Sequence, residues 1–319
     1  MLSSRIILGV ALVGVLYALA WLDLRADRPG VVLLPLALVG SALAAGELVR
    51  VFENSAQPGL PAGHKGRAAD AAPRRRVVLA ATVLVVLVSA TPMLWLEYPK
   101  ETVVGRAGWV GLGLAIAGMV VFVEEMVRYA GPGAASTRLA RSVFTVAYAG
   151  GLMGFVAQLR LLAGGVWDAD GRWGMVALLS LIVVVKMDDT GAYFAGRALG
   201  RHKMTPILSP GKTWEGALGG FALSAVGAMI ALGPLAHALG CDSTRGFWTW
   251  LGGCLLYALL VGAAGMAGDL AVSLLKRDAQ LKNSSTWMPG FGGVLDLLDS
   301  ILFAAPVAYF LWIARIVGP

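Results

Sequence analysis

The sequence predicts an all-α, polytopic membrane protein with about nine transmembrane helices. Three observations carry this. Of 319 residues, 58% are hydrophobic and only 14% charged, whereas soluble domains carry about 25% charged residues. Mean hydropathy is +0.75, and the apolar residues fall into runs long enough to cross a bilayer. The ten-residue alternation of an outer-membrane barrel is not visible. In lipid every backbone polar group must be satisfied internally, so helices follow.

The elements are justified in order. The first run, residues 6–22, is long enough to span and has no A-x-A-like cleavage site, so a helix is expected rather than a cleaved leader. The second, residues 31–49, makes with it a pair of short runs, either tilted or half-inserted. Residues 53–76 ("ENSAQPGLPAGHKGRAADAAPRRR") read as a flexible cytoplasmic loop, with Arg74, Arg75 and Arg76 anchoring the third run (77–96) at anionic headgroups. Further spans are expected at residues 107–123, 142–163, 174–194, 216–236, 247–272 and 300–317. Gly150, Gly151, Gly219, Gly220, Gly262 and Gly265 inside them let neighbouring helices approach closely.

Orientation follows from the loops. With the N-terminus inside, 18 of the 26 Lys and Arg fall on inner segments and 8 on outer ones, which predicts N-in, C-out. The net charge of +7 therefore records topology. No basic stripe interleaved with aromatics is present, so no nucleic-acid partner is expected. Cys241 and Cys254 form no CxxC pair, and His64, His202 and His237 are scattered, so neither a disulfide framework nor a zinc site is indicated. No internal repeat supports an inverted-repeat transporter.

Three segments place acids, bases and glycines where apolar residues would otherwise continue: residues 183–220, 265–278 and 276–300. Carboxylates at or within a span are costly, so they face a cavity or a partner. Asp296 and Asp299, at i and i+3, share a helix face and can address one ion. Equally, they can be an acidic first turn that suits a helix dipole. With Asp269 they favour a cation site, and oxygen ligands without His or Cys suit Mg²⁺. Asp189 is a further acid beside a span. Lys276, Arg277, Lys282, Lys212, Arg197, Arg201 and Lys203 offer donors for phosphate oxygens or simply set topology. "SPGKTWEG" contains Gly-Lys-Thr, but a Walker loop needs glycine at 206, where Pro206 stands.

Together these segments resemble the phosphatidate cytidylyltransferases, or CDP-diacylglycerol synthases. The family pattern Ser-x-x-Lys-Arg-x4-Lys-Asp, then Pro-Gly-His-Gly-Gly and Asp-Arg-x-Asp, is met by Ser273, Lys276, Arg277, Lys282, Asn283, Pro289, Gly290, Phe291, Gly292, Gly293, Asp296, Leu297 and Asp299. The upstream "DDTGAYFAGRALGRHKMTPILSPGKTWEG" also resembles the family's segment. Three positions depart: Asn283, Phe291 and Leu297 stand where the family has Asp, His and Arg.

The resemblance implies N-terminal helices with a basic loop over residues 1–106 and a catalytic membrane region over 107–319. It implies nucleotidyl transfer from CTP to phosphatidic acid, with CDP-diacylglycerol and pyrophosphate as products. Mg²⁺ is the expected cofactor, with a second, monovalent cation as an option, on Asp269, Asp296, Asp299 and Asp189. Lys276, Arg277, Lys282 and Asp296 would be catalytic. Ser209, Lys212, Thr213, Glu215, Ser273, Asn283, Gly292 and Gly293 would bind substrate. A bacterial inner-membrane location, a cytoplasmic site and a homodimer are implied in the same way. The alternatives are a non-enzymatic lipid-binding or transport relative and, less well matched in its acid spacing, a CDP-alcohol phosphotransferase.

Overall fold

The computed structural model describes residues 2–55, 72–94, 105–163, 167, 170–285 and 292–319. Nine helices are present among them: α1 (Leu2–Leu24), α2 (Leu34–Ser55), α3 (Arg75–Ser89), α4 (Gly105–Arg128), α5 (Ala135–Arg160), α6 (Arg172–Leu199), α7 (Trp214–Ala238), α8 (Phe247–Asp278) and α9 (Val294–Ile313). Each answers to one predicted run. A two-stranded antiparallel hairpin, β1 (Lys203–Thr205) and β2 (Ser209–Thr213), joins α6 to α7 and is the only sheet among the described residues. The chain is an all-α, integral, multi-pass membrane protein.

Among the described residues six helices, α2, α4, α5, α7, α8 and α9, are long and apolar enough to cross a membrane. Departures at α3, α6 and α5 have physical reasons. α3 has only 15 residues and gives way to a 3-10 turn, Thr91–Leu94, at Pro92, which disfavours α geometry in the residue before it. α6 interrupts its apolar run with Lys186, Asp188 and Asp189. α5 starts seven residues earlier than hydropathy alone predicts, because its polar first turns have partners. Arg138 pairs with the Glu125 carboxylate, and Arg141 lies over the Phe52 ring at 5.6 Å. Most of the 53–76 loop lies outside the described residues.

The chain divides into two compact units, each discontinuous in sequence. The first comprises Met1–Asp23, Val31–Ala157 and Leu274–Leu298. Its core is built on α3: Val78, Ala81 and Val85 pack with Val49, Ala117, Val121 and Val146. Gly113 on α4 and Gly150, in a π turn of α5 (Val146–Gly151), lie flat against α3. A side chain at Gly150 would meet the Thr82 carbonyl at 3.1 Å. Arg74 lies 3.6 Å from Glu124, so at least one of the three arginines serves an ion pair at the start of α3.

The second unit comprises Leu24–Gly30, Gln158–Ser273 and Asp299–Pro319. α6 and α7 cross closely where Gly191 meets the Gly219 backbone and Leu223, and Gly219 meets Ala195. Ser180 and Tyr257 share a buried hydroxyl contact of 2.9 Å. Trp312 is fully buried beside Trp167 and Trp173. Pro234 is accommodated in a π turn, Ala231–Leu235, where the Trp250 indole N–H donates to the Leu232 carbonyl at 3.1 Å. Arg245 donates to the carbonyls of Arg315, Ile316, Gly318 and Pro319, satisfying the orphan acceptors that follow α9.

Helix contact through glycine makes a direct prediction. Gly219→Val places a branched side chain where α6 and α7 touch. It is expected to destabilise the protein by about 1–3 kcal/mol, read as a lowered Tm in detergent relative to Gly211→Val, where the surroundings are open.

Candidate active site

In the second unit the acids sit where glycines make room for them. Gly265 and Gly268 on α8 face Val185 of α6 and the Asp299–Phe303 stretch of α9. A side chain at 268 would collide with the Asp299 carbonyl and Phe303, so only glycine permits this approach. The next residue, Asp269, is thereby brought close enough that its charge acts on Asp299, as does that of Lys186. Asp299 is 4% exposed and accepts from the Ser300 N–H and hydroxyl at 2.6 and 3.1 Å.

Lys212 reaches this region from β2. Its ammonium lies 2.9 Å from Asp269 and donates to the Met266 carbonyl at 3.1 Å. The hairpin that carries it is held at both ends. Thr213 is buried and caps α7 by accepting from the Gly216 N–H at 3.1 Å. Glu215 accepts from the Arg201 and His202 N–H groups at 3.1 and 3.2 Å and pairs with the His202 ring. Ser209 pairs with Thr205 across the strands. Gly-Lys-Thr is thus a strand leading into a helix cap, in keeping with the missing Walker glycine.

Asp188 is the acid that sequence reasoning missed. It is 3% exposed on α6, and its Oδ1 has no hydrogen-bond partner among the described residues. It fits a notch between Gly220 of α7 and Gly262 of α8, where a side chain on either would come within 2.9 Å of that oxygen. Asp189, the neighbour chosen from sequence, lies at the surface and pairs with Lys186 at 3.2 Å. Helical periodicity carried the signal: Asp188 shares the buried face of α6 with Val184, Val185 and Gly191.

In the first unit a second polar cluster surrounds Asp296. Its Oδ1 accepts from Lys276 at 2.6 Å. Its Oδ2 accepts from the Ser284 N–H and hydroxyl at 3.0 and 2.9 Å and from the Gly293 N–H at 3.2 Å. Gly292 has φ +83 and stands against the Asp296 carboxylate, where a side chain would come to 2.5 Å. Ser273 is half-buried on α8; Arg277, Lys282 and Asn283 are exposed, and Leu297 is half-buried on α9. Pro289, Gly290 and Phe291 lie outside the described residues.

The donor set bears on a metal. Among the described residues no three His, Cys, Asp or Glu side chains come together as a ready metal cage. Mg²⁺ does not require one, since it is bound through one or two carboxylates with phosphates and water completing the shell. Asp269 and Asp299 are hard oxygen donors of the kind that pattern uses, on helices that meet where Gly268 lies against the Asp299 carbonyl. Asp296 has both oxygens engaged.

Comparison with known proteins gives the following likenesses. The cytidylyltransferase family model matches residues 3–314. A phosphatidate cytidylyltransferase of Haemophilus influenzae is 37% identical over 160 residues, covering 50% of this chain and 54% of that protein. One from Helicobacter pylori is 42% identical over 134 residues, 42% of this chain and 46% of its own length. An uncharacterised Escherichia coli protein is 36% identical over 162 residues, 49% and 51% of the two chains. The chain spans about half the length of the curated relatives it matches.

The Lys276–Asp296 pair is nearly buried, at 13% and 12% side-chain exposure. Removing one partner strands the other charge, so Lys276→Met is expected to cost about 3 kcal/mol. Lys276→Met combined with Asp296→Asn should recover a large part of that. Thermal unfolding in detergent reads both, and a double variant as unstable as the single would show that the two charges are not coupled.

Proposed function

The chain belongs to the cytidylyltransferase family, and on that premise we propose that it makes CDP-diacylglycerol from CTP and phosphatidic acid. A phosphate oxygen of the lipid attacks the α-phosphorus of CTP. The bond from that phosphorus to the bridging oxygen of the β-phosphate breaks, and pyrophosphate leaves with the electron pair. The lipid phosphate is already an anion near neutral pH, so no strong base is required. The obstacle is repulsion between two polyanions, which positive charge held in line overcomes.

The observation that carries this reading is the Lys212–Asp269 arrangement of the second unit, within residues 3–314 that the cytidylyltransferase family model matches. Lys212 is a cation held on a tethered hairpin, close to carboxylates that an apolar protein would not otherwise tolerate. We assign to it the neutralisation of CTP phosphates. In the first unit, Lys276, oriented by Asp296, and the exposed Arg277 and Lys282 are further cations of the kind that phosphate oxygens take. Asp269 and Asp299 would hold Mg²⁺, which would supply charge neutralisation on the transferring phosphates. Thr213 and Glu215 set the hairpin, and through it the reach of Lys212.

The lipid enters sideways, acyl chains remaining in the bilayer while its headgroup meets CTP from the aqueous side. The excess of Lys and Arg on the predicted inner segments supports a site facing the cytoplasm, and bacterial relatives support an inner-membrane location. We extend the family's homodimer to this chain as part of the same proposal. Relative to the family pattern Asn283 removes a negative charge, Phe291 a titratable ring and Leu297 a positive charge, and these three are the features a binding-only protein would share.

Purified protein given labelled CTP and phosphatidic acid should yield CDP-diacylglycerol and pyrophosphate in equal amounts. Asp269→Asn and Asp299→Asn should each lower that rate by about 100-fold, the scale of several kcal/mol of charge stabilisation. Asp242→Asn, on an exposed residue paired with His237, should leave it unchanged. CTP binding without lipid product in the wild type would replace this reading with a binding protein.

A further inference from the structure

Glu47 lies far in sequence from every segment discussed so far for chemistry. It sits on α2, in the N-terminal region, and is 5% exposed. A carboxylate inside a membrane helix is costly unless it is paired or hydrogen-bonded. Its partners come from the far end of the chain. Oε1 accepts from the Val294 N–H at 3.0 Å, and Oε2 accepts from the Leu295 N–H at 2.9 Å. Oε2 is also 2.7 Å from the Ser284 hydroxyl.

These are the first amide groups of α9, which have no carbonyl partner within the helix. The residue ahead of α9 is Gly293, which has no side chain to cap it. Glu47 performs that task from 247 positions away, and its negative charge suits the positive end of the helix dipole. The Ser284 hydroxyl stands between Glu47 Oε2 and Asp296 Oδ2, 2.7 and 2.9 Å from them. Asp296 in turn holds Lys276 at 2.6 Å. Gly293 is explained by the same contact, because a side chain there would occupy the space of the Glu47 carboxylate and the Ser284 hydroxyl.

We propose that Glu47 is a positioning residue for cytidylyl transfer: it fixes the first turn of α9 and, through Ser284, the orientation of Asp296 and therefore of Lys276. This rests on the reaction proposed above. It adds to the centre a residue from the N-terminal spans, outside the segment that carries the family motifs.

The test compares wild type with Glu47→Gln, Glu47→Asp and Gly293→Ala, each purified and normalised to folded protein. Gln presents an amide N–H₂ to one of the donors, and Asp withdraws the carboxylate by one methylene. Both should lower kcat by about 10-fold or more, the scale on which small misplacements act, with KM for CTP within about twofold. Gly293→Ala should reproduce the loss and add little to Glu47→Gln, as expected for residues acting through one contact. Hydrogen exchange at the Val294 and Leu295 amides should quicken in Glu47→Gln. An active wild type with unimpaired Glu47→Gln turnover, or with unchanged exchange at those amides, overturns this role alone. A lowered Tm with normal kcat per folded molecule makes Glu47 merely structural and also overturns it. A wild type that makes no lipid product overturns the reaction itself, and this role with it.

Discussion

The rest of the structure depends on the cost of keeping a carboxylate out of water. In a chain that is 58% hydrophobic, an acid within a span needs a donor, a cation or a reason. Each acid described here, buried or half-buried, has found a different answer. Glu47 takes the free amides of a helix end, Asp296 takes a lysine and a serine, and Asp299 takes the serine beside it. Asp269 has Lys212. Asp188 has a glycine-lined notch and an oxygen without a partner among the described residues. That arrangement is costly for a scaffold and sensible for a site that handles cations and phosphates.

Glycine is the other half of this economy. Lipid offers helices no hydrophobic reason to associate, so close packing between small residues does much of the holding. In the second unit Gly191 and Gly219 join α6 to α7, while Gly265 and Gly268 admit α9 to α8. The same contacts deliver Asp269 and Asp299 to one neighbourhood. Packing and placement of the acids are here one set of contacts, so a residue that tightens the bundle also sets where the acids lie.

Much of this was legible in the sequence, for physical reasons. Nine apolar runs became nine helices, because lipid leaves the backbone little choice. Motif spacing singled out lysines and aspartates as candidates, since i, i+3 geometry and glycine turns are local properties, but it could not show that Asp296 and Asp299 take separate partners. Tertiary partners were not legible. Glu47 lies 247 residues from the amide it caps, and its own neighbours, Gly46 and Leu48, mark it only as an acid in an apolar run. Asp188 and Asp189 look alike as letters, and only the packing of α7 and α8 distinguishes the buried one from the surface one. The early start of α5 likewise needed Glu125 and Phe52 as partners before its polar first turns made sense as helix.

The Glu47 contact also bears on how the chain is made. Ribosomes add about 5–20 residues per second, so α2 enters the bilayer on the order of 10 to 50 s before the amides it will cap. During that interval its carboxylate lacks these donors and must lean toward an aqueous boundary or use other partners. The packing of α2 is therefore provisional until α9 arrives. The contact that aligns the first turn of α9 thus closes a gap of 247 positions in the order of synthesis.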